Sequence, residues 1–70
     1  MENKTFKAIR LYFDYTQSEY AKLLNLDHSY ISQIERGHKR VPERARIKLI
    51  KELNITPNLL SEIKQINQTM

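Results

Sequence analysis

The chain has 70 residues and a mass of 8.4 kDa, which leaves room for one compact domain and none for a second, ligand-sensing module. It contains no cysteine, one glycine and two prolines, a composition that excludes a disulfide framework, a thiolate metal site and a low-complexity polymer. No apolar run is long enough to span a membrane and no signal segment is present. We therefore expect a soluble cytoplasmic protein with a single domain over residues 1–70.

The net charge is +4, and the charge is unevenly distributed along the chain. Residues 36–51 contain seven basic residues and one acid, so this segment carries +6 and the rest of the chain carries −2. A basic segment of this kind is typical of contact with a polyanion such as nucleic acid. It is also typical of a solvated helix face, and charge alone leaves both interpretations open.

Apolar residues recur at helical spacing, and no period-two pattern bounded by hairpin signals predicts a strand. The first helix is predicted from Thr5 to Phe13. Its stripe at i, i+3, i+4 and i+7 consists of Phe6, Ile9, Arg10 and Phe13. This stripe is expected to face the core.

A second helix is predicted over residues 17–24. Thr16 and Glu19 have the spacing of a capping box, in which each residue's side chain accepts a hydrogen bond from the other's backbone amide. Asn25 tolerates the left-handed conformation that ends a helix. A three-residue turn over residues 25–27 follows.

A third helix is predicted over residues 28–36. Asp27 is a suitable N-cap, and Gly37 supplies the positive φ that commonly follows a helix end. Two short helices joined by a tight turn form a helix-turn-helix at about residues 17–36.

A basic loop leads to a fourth helix, with Pro42 expected in its first turn and its end near Leu53. Thr56 as N-cap and Pro57 as first helical residue open a fifth helix, and residues 68–70 are expected to fray. The predicted core consists of Phe6, Ile9, Phe13, Ala21, Leu24, Ile31, Ile34, Leu49, Ile50, Leu53 and Leu59.

Projection of the third helix at about 100° per residue separates its residues into two arcs. Tyr30, Ile31 and Ile34 fall on the inward arc. The outward arc consists of His28, Ser29, Ser32, Gln33 and Arg36. These outward side chains can hydrogen-bond base edges, although any amphipathic surface helix also has a polar arc.

These residues resemble the lambda-type repressor and Cro proteins, a helix-turn-helix family also called XRE-like. The resemblance spans roughly residues 6–60 and rests on Thr16-Gln17-Ser18-Glu19-Tyr20-Ala21 and, after the turn, on Tyr30-Ile31-Ser32-Gln33-Ile34-Glu35-Arg36-Gly37. It implies a compact all-α domain of five helices, whose third helix enters the DNA major groove while the second lies across it. Asn25 stands where the family usually has glycine, and Tyr20 where an aliphatic residue is commoner.

Four outward side chains are candidate contacts to DNA bases: His28, Ser29, Ser32 and Gln33. Gln33 is the foremost of these, because its carboxamide can donate to and accept from adenine in one plane. The resemblance implies that His28 and Ser29 occupy the helix end that points into the groove, and Ser32 is small enough to touch a thymine methyl group. Solvation or capping is the alternative role for these three residues.

Six residues are candidate phosphate contacts: Gln17, Tyr30, Arg36, Lys39, Arg40 and Arg44. Gln17 resembles the family's phosphate contact at the start of the second helix, and its alternative is an ordinary first-turn residue. Tyr30 either hydrogen-bonds a phosphate through its hydroxyl or only packs its ring in the core. Phosphate contacts orient a protein on DNA without selecting sequence.

Two further sets of residues are candidates for an ion pair inside the domain and for a homodimer interface. Arg10 and Glu35 resemble the family's ion pair, which joins the first helix to the third. The fifth helix is the expected homodimer interface, with Leu60, Ile63 and Ile66 as contacts. Leu60 and Ile63 are equally suited to closing the domain's own core.

An enzymatic role is not expected, and neither is a cofactor or a metal. His28 and His38 are ten positions apart with no recognisable ligand spacing, and no glycine-rich phosphate loop follows a strand. We predict a sequence-specific regulator of transcription that binds double-stranded DNA as a homodimer, such as a small repressor of phage or mobile-element type. The alternative is a protein-interaction module on the same fold, such as an antitoxin or an adaptor that binds a regulatory protein partner.

Overall fold

The computed structural model contains five helices and no strand in the part of the chain that it describes, which is the backbone of residues 1–69 and the side chains of residues 1–66. The helices are α1 (Asn3–Tyr12), α2 (Gln17–Leu24), α3 (His28–Glu35), α4 (Glu43–Glu52) and α5 (Pro57–Thr69). The prediction of an all-α, five-helix domain is confirmed. The prediction that residues 68–70 fray concerns residues that lie outside the fully described part of the chain.

The helix-turn-helix is formed by α2 and α3, which pack against each other on either side of the turn. α1 packs on both α3 and α5, and α2 also contacts α4. One side of α3 is therefore held by α1 and α2, and its other side faces outward.

The start of α2 is fixed by the predicted capping box. Thr16 Oγ1 accepts from the amide of Glu19 at 3.1 Å, and Glu19 Oε1 accepts from the amide of Thr16 at 2.8 Å. The bond from the Thr16 amide, followed by the contact with its side chain, holds the pKa of Glu19 below its ordinary value. Asn25 has φ 55° and ends the helix in the left-handed conformation, as expected.

Several helix ends differ from the predictions. α1 begins two residues earlier than Thr5, and the residue that turns the chain after it is Asp14, with φ 61°. Pro42 is the N-cap of α4 and lies outside its first turn. Asp27 occupies the N-cap position of α3, but its side chain makes no capping hydrogen bond. The prediction for Pro42 was therefore wrong in this detail, whereas α3 begins at His28 directly after Asp27, as predicted.

The buried core joins residues from all five helices: Phe6, Ala8, Ile9, Tyr20, Ala21, Leu24, Ile31, Ile34, Ala45, Leu49, Ile55 and Ile63. Four residues predicted to be core are only partly buried against it: Phe13, Ile50, Leu53 and Leu59. Ile55 was not predicted, because it lies between α4 and α5 and outside any helical stripe.

Tyr20 is the largest fully buried side chain of the described residues. Its ring packs against Phe6 with 4.8 Å between centroids, and its hydroxyl donates to the Phe6 carbonyl oxygen at 2.7 Å. The hydroxyl therefore has the partner that a buried tyrosine requires. Burial raises the pKa of Tyr20 well above 10.0, and the nearby Glu35 carboxylate acts in the same direction.

Tyr20→Phe is expected to make the protein less sensitive to alkali. Below about pH 10 Tyr20 of the wild type is protonated in both the folded and the unfolded chain. Above about pH 10 only the unfolded chain loses this proton. The free energy of unfolding of the wild type therefore falls by up to about 1.4 kcal/mol per pH unit. The variant should be less stable than the wild type by about 0.5–1.5 kcal/mol at pH 7, since it lacks one hydrogen bond. Urea unfolding at pH 7 to 11 measures both effects. If the free energy of unfolding fell equally with pH in the two proteins, Tyr20 would not be the buried group that makes the wild type sensitive to alkali.

Candidate nucleic-acid interface

The outward side of α3 forms an uncharged polar strip. His28 and Ser29 are exposed, whereas Ser32 and Gln33 are half-buried along its edge. On the opposite side Ile31 and Ile34 are fully buried, which fixes the rotation of the helix about its axis. The two predicted arcs therefore correspond to an outer and an inner side.

Three side chains of this strip keep their hydrogen-bonding groups available. Within the described residues Ser29, Ser32 and Gln33 form no side-chain hydrogen bond to the rest of the protein. Each can therefore bind an external partner without breaking an internal bond. His28 differs, because its ring bonds Gln17, the first residue of α2.

An ion pair holds α3 against α1. Arg10 Nε donates to Glu35 Oε2 at 2.6 Å and Arg10 Nη2 donates to Glu35 Oε1 at 3.0 Å, which is a bidentate pairing. The two side chains are 13% and 4% exposed, respectively. Arg10 Nη1 also donates to the Tyr15 carbonyl oxygen at 2.9 Å. One guanidinium thus joins α1, the loop after it and the end of α3.

Gln17 continues this network toward the outer strip. Its Nε2 donates to Glu35 Oε1 at 3.1 Å, and its Oε1 lies 3.0 Å from His28 Nε2. The sequence predicted Gln17 only as a phosphate contact, and missed its link to both ends of α3. The second amide N–H of Gln17 remains available for a phosphate.

The basic candidates lie on and after the end of α3. Arg36, Lys39, Arg40 and Arg44 are all exposed. Neither Arg40 nor Arg44 is paired with an acid among the described residues, so their charges are available to an anion. Arg46 differs, because it forms an ion pair with Glu43 that lowers the pKa of that carboxyl.

Tyr30 packs its ring against the core, one of its two predicted roles, and the other, a phosphate bond through its hydroxyl, stays a prediction. Its side chain is half-buried and packs against the core, while Lys39 Nζ lies 5.8 Å from the centre of its ring. The ring therefore holds the Lys39 ammonium close to Tyr30 of α3.

Asn3 was not predicted, yet it positions the basic loop. Its Nδ2 donates to the Ile34 carbonyl oxygen at 2.8 Å and to the Lys39 carbonyl oxygen at 2.7 Å. These partners are 31 and 36 residues away, so no local pattern signals them. The start of α1 thereby fixes the course of the chain from α3 into the loop.

Asn3→Ala is expected to lower the free energy of unfolding by about 1–2 kcal/mol, because two side-chain hydrogen bonds are lost. Asn3→Asp should lower the free energy of unfolding more than Asn3→Ala does, since a carboxylate facing two carbonyl oxygens adds electrostatic repulsion. Chemical unfolding measures both variants, with Lys4→Ala as an exposed neighbour expected to change stability by less than about 0.5 kcal/mol. An aspartate variant as stable as the wild type would contradict the two bonds.

The candidate dimer residues have different positions. Ile63 is 1% exposed and closes the domain's own core, so it is not available to a second copy. Leu60 is half-buried and lines a groove of about 450 Å³ with Ile50 and Lys64. Ile66 is 46% exposed.

The fold and this strip define a small all-α protein with a helix-turn-helix whose second helix has an exposed polar side. A protein-family model described as Helix-turn-helix matches residues 6–63. The chain therefore belongs to the lambda-repressor-like, or XRE-like, helix-turn-helix family, as the sequence motifs indicated. Membership of this family indicates a DNA-binding regulator of transcription.

Searches of curated proteins and of solved structures found no significant match. None of the described helices combines the length and the apolar character needed to cross a membrane. Within the same residues, no group of three or more histidine, cysteine or acidic side chains is arranged to hold a metal ion.

Proposed function

We propose that this protein is a sequence-specific repressor that inserts the outer side of α3 into the major groove of double-stranded DNA. The observation that carries the proposal is the uncharged strip of His28, Ser29, Ser32 and Gln33, which is followed in the chain by exposed arginines with no acidic partner among the described residues. The strip offers donors and acceptors for base edges, and the arginines offer charge to the phosphates on either side. We assign Gln33 the largest role in selecting sequence, because its carboxamide can donate and accept in one plane and bonds no other described residue.

Phosphate contacts in this arrangement come from Arg36, Lys39, Arg40 and Arg44, with Gln17 and Tyr30 at the margins. The availability of Arg40 and Arg44 supports this assignment, as does the position of Lys39 above the Tyr30 ring. These contacts position α3 without selecting sequence.

We further propose that two copies bind two half-sites about 34 Å apart, since a single domain of this size buries too little surface for tight operator selection. Leu60 and Ile66 are the proposed contacts between the copies. Selection of bound fragments from a random duplex library tests this directly. A palindromic consensus is expected, and a single unrepeated half-site would contradict dimer binding.

Binding to a random duplex is expected to weaken steeply with salt. If three or four phosphates are neutralised per domain, the slope of log K against log salt concentration is about −3 to −4 for each domain. Arg40→Ala should weaken every duplex alike and reduce the slope by about one. Arg46→Gln is the matched control, because it removes the same charge from a side chain already paired with Glu43.

The same titration separates the proposal from the alternative of a protein-interaction module. A helix-turn-helix that binds only a protein partner would show little DNA affinity at modest salt and no change in slope for Arg40→Ala. That outcome would refute DNA binding through this strip.

A further inference from the structure

Glu35 restricts the orientation of the Gln17 side chain. The Glu35 carboxylate is nearly fully buried and held by two bonds from Arg10, so it acts only as an acceptor toward other groups. The Gln17 atom that faces Glu35 Oε1 at 3.1 Å must therefore be the amide nitrogen, which donates. The reverse orientation would bring a carbonyl oxygen against a carboxylate oxygen.

With its nitrogen facing Glu35, Gln17 turns its carbonyl oxygen toward His28. That oxygen lies 3.0 Å from His28 Nε2 and has no hydrogen to donate, so Nε2 must supply the hydrogen. A neutral imidazole carries only one N–H, which leaves Nδ1 as an acceptor. Among the described residues nothing donates a hydrogen bond to Nδ1, and the side chain is exposed.

We infer that Gln17 holds His28 in the Nε2–H tautomer, so that the first residue of α3 offers DNA a hydrogen-bond acceptor. Gln17 is thus a positioning residue, and His28 determines specificity at one base pair. In the major groove the bases that offer a donor are cytosine, through N4, and adenine, through N6. Guanine and thymine present only acceptors to a side chain there and are disfavoured. This inference rests on the proposed function only for the DNA contact, because the tautomer is a property of the free protein.

The first experiment needs no DNA. Long-range ¹H–¹⁵N NMR spectra at pH 8, above the ordinary imidazole pKa of about 6.5, report which ring nitrogen of each histidine carries hydrogen. His28 is expected to be entirely in the Nε2–H form, whereas His38, an exposed histidine in the loop, serves as the unrestrained reference. Gln17→Met removes both amide bonds, and His28 should then show the same tautomer mixture as His38. An Nδ1–H form of wild-type His28, or no change in Gln17→Met, would overturn the inference.

The second experiment uses a random duplex library. Wild-type protein should enrich cytosine or adenine at one position by about three- to tenfold, the value of a single hydrogen bond. His28→Ala and Gln17→Met should both lose this enrichment while retaining the preference due to Gln33. Enrichment of guanine or thymine there, with His28 in the Nε2–H form, would overturn the assigned base contact. Absence of any DNA binding would instead refute the proposed function, and the NMR result would stand separately.

Discussion

Glu35→Gln is expected to lower the free energy of unfolding by about 3–5 kcal/mol, because it leaves the Arg10 guanidinium partly buried without a compensating charge. Arg10 is only 13% exposed, so water replaces little of the lost interaction. A domain of this length has a total stability of about 4–10 kcal/mol, so this variant should be close to unfolding at room temperature. Urea titration followed by circular dichroism measures the loss.

The double variant Arg10→Met with Glu35→Leu is the control for this prediction. Replacing both charges with apolar side chains removes the desolvation cost together with the attraction, so the double variant should recover most of the stability. If Glu35→Gln alone costs less than about 1 kcal/mol, solvent screens the pair and it does not fix α3.

Gln33→Ala is expected to have the largest effect on DNA recognition. Loss of the two hydrogen bonds proposed between Gln33 and one adenine should weaken binding to the selected operator by about 1–3 kcal/mol and remove the preference at that base pair. Affinity for random duplex should be almost unchanged, because the phosphate contacts remain. Titration of both duplexes at one salt concentration measures the difference.

Arg40→Ala is the matched comparison for Gln33→Ala. It should weaken the operator and random duplex by similar factors, whereas Gln33→Ala should weaken only the operator. If Gln33→Ala weakened both duplexes equally, Gln33 would not contact a base.

The bounds of α2 and the side of α3 that faces the core were predictable because their causes are local. Thr16 and Glu19 are three residues apart and complete the capping box within one turn. Ile31 and Ile34 have the spacing that buries one side of a short helix. Both features depend only on residues that are close in sequence, so the amino-acid sequence alone predicts them.

The rest of the interface depends on partners that are distant in sequence. Asn3 bonds residues more than 30 positions away, and Gln17 bonds one residue 18 positions away and another 11 positions away. The other asparagine and glutamine side chains among residues 1–66 make no such bonds, so residue type and spacing did not indicate them. The family resemblance supplied the pairing of Arg10 with Glu35, but gave no indication of the bonds from Gln17.

The three bonds from Arg10 bear on the thermodynamics of association. Because one side chain holds α1, the loop after it and α3 together, the surface proposed to contact DNA is held in one arrangement in the free protein. A preorganised surface loses little conformational entropy on docking, and the free energy of its contacts goes into affinity. Calorimetry should therefore give a heat-capacity change that matches the contact area alone, with no contribution from coupled folding.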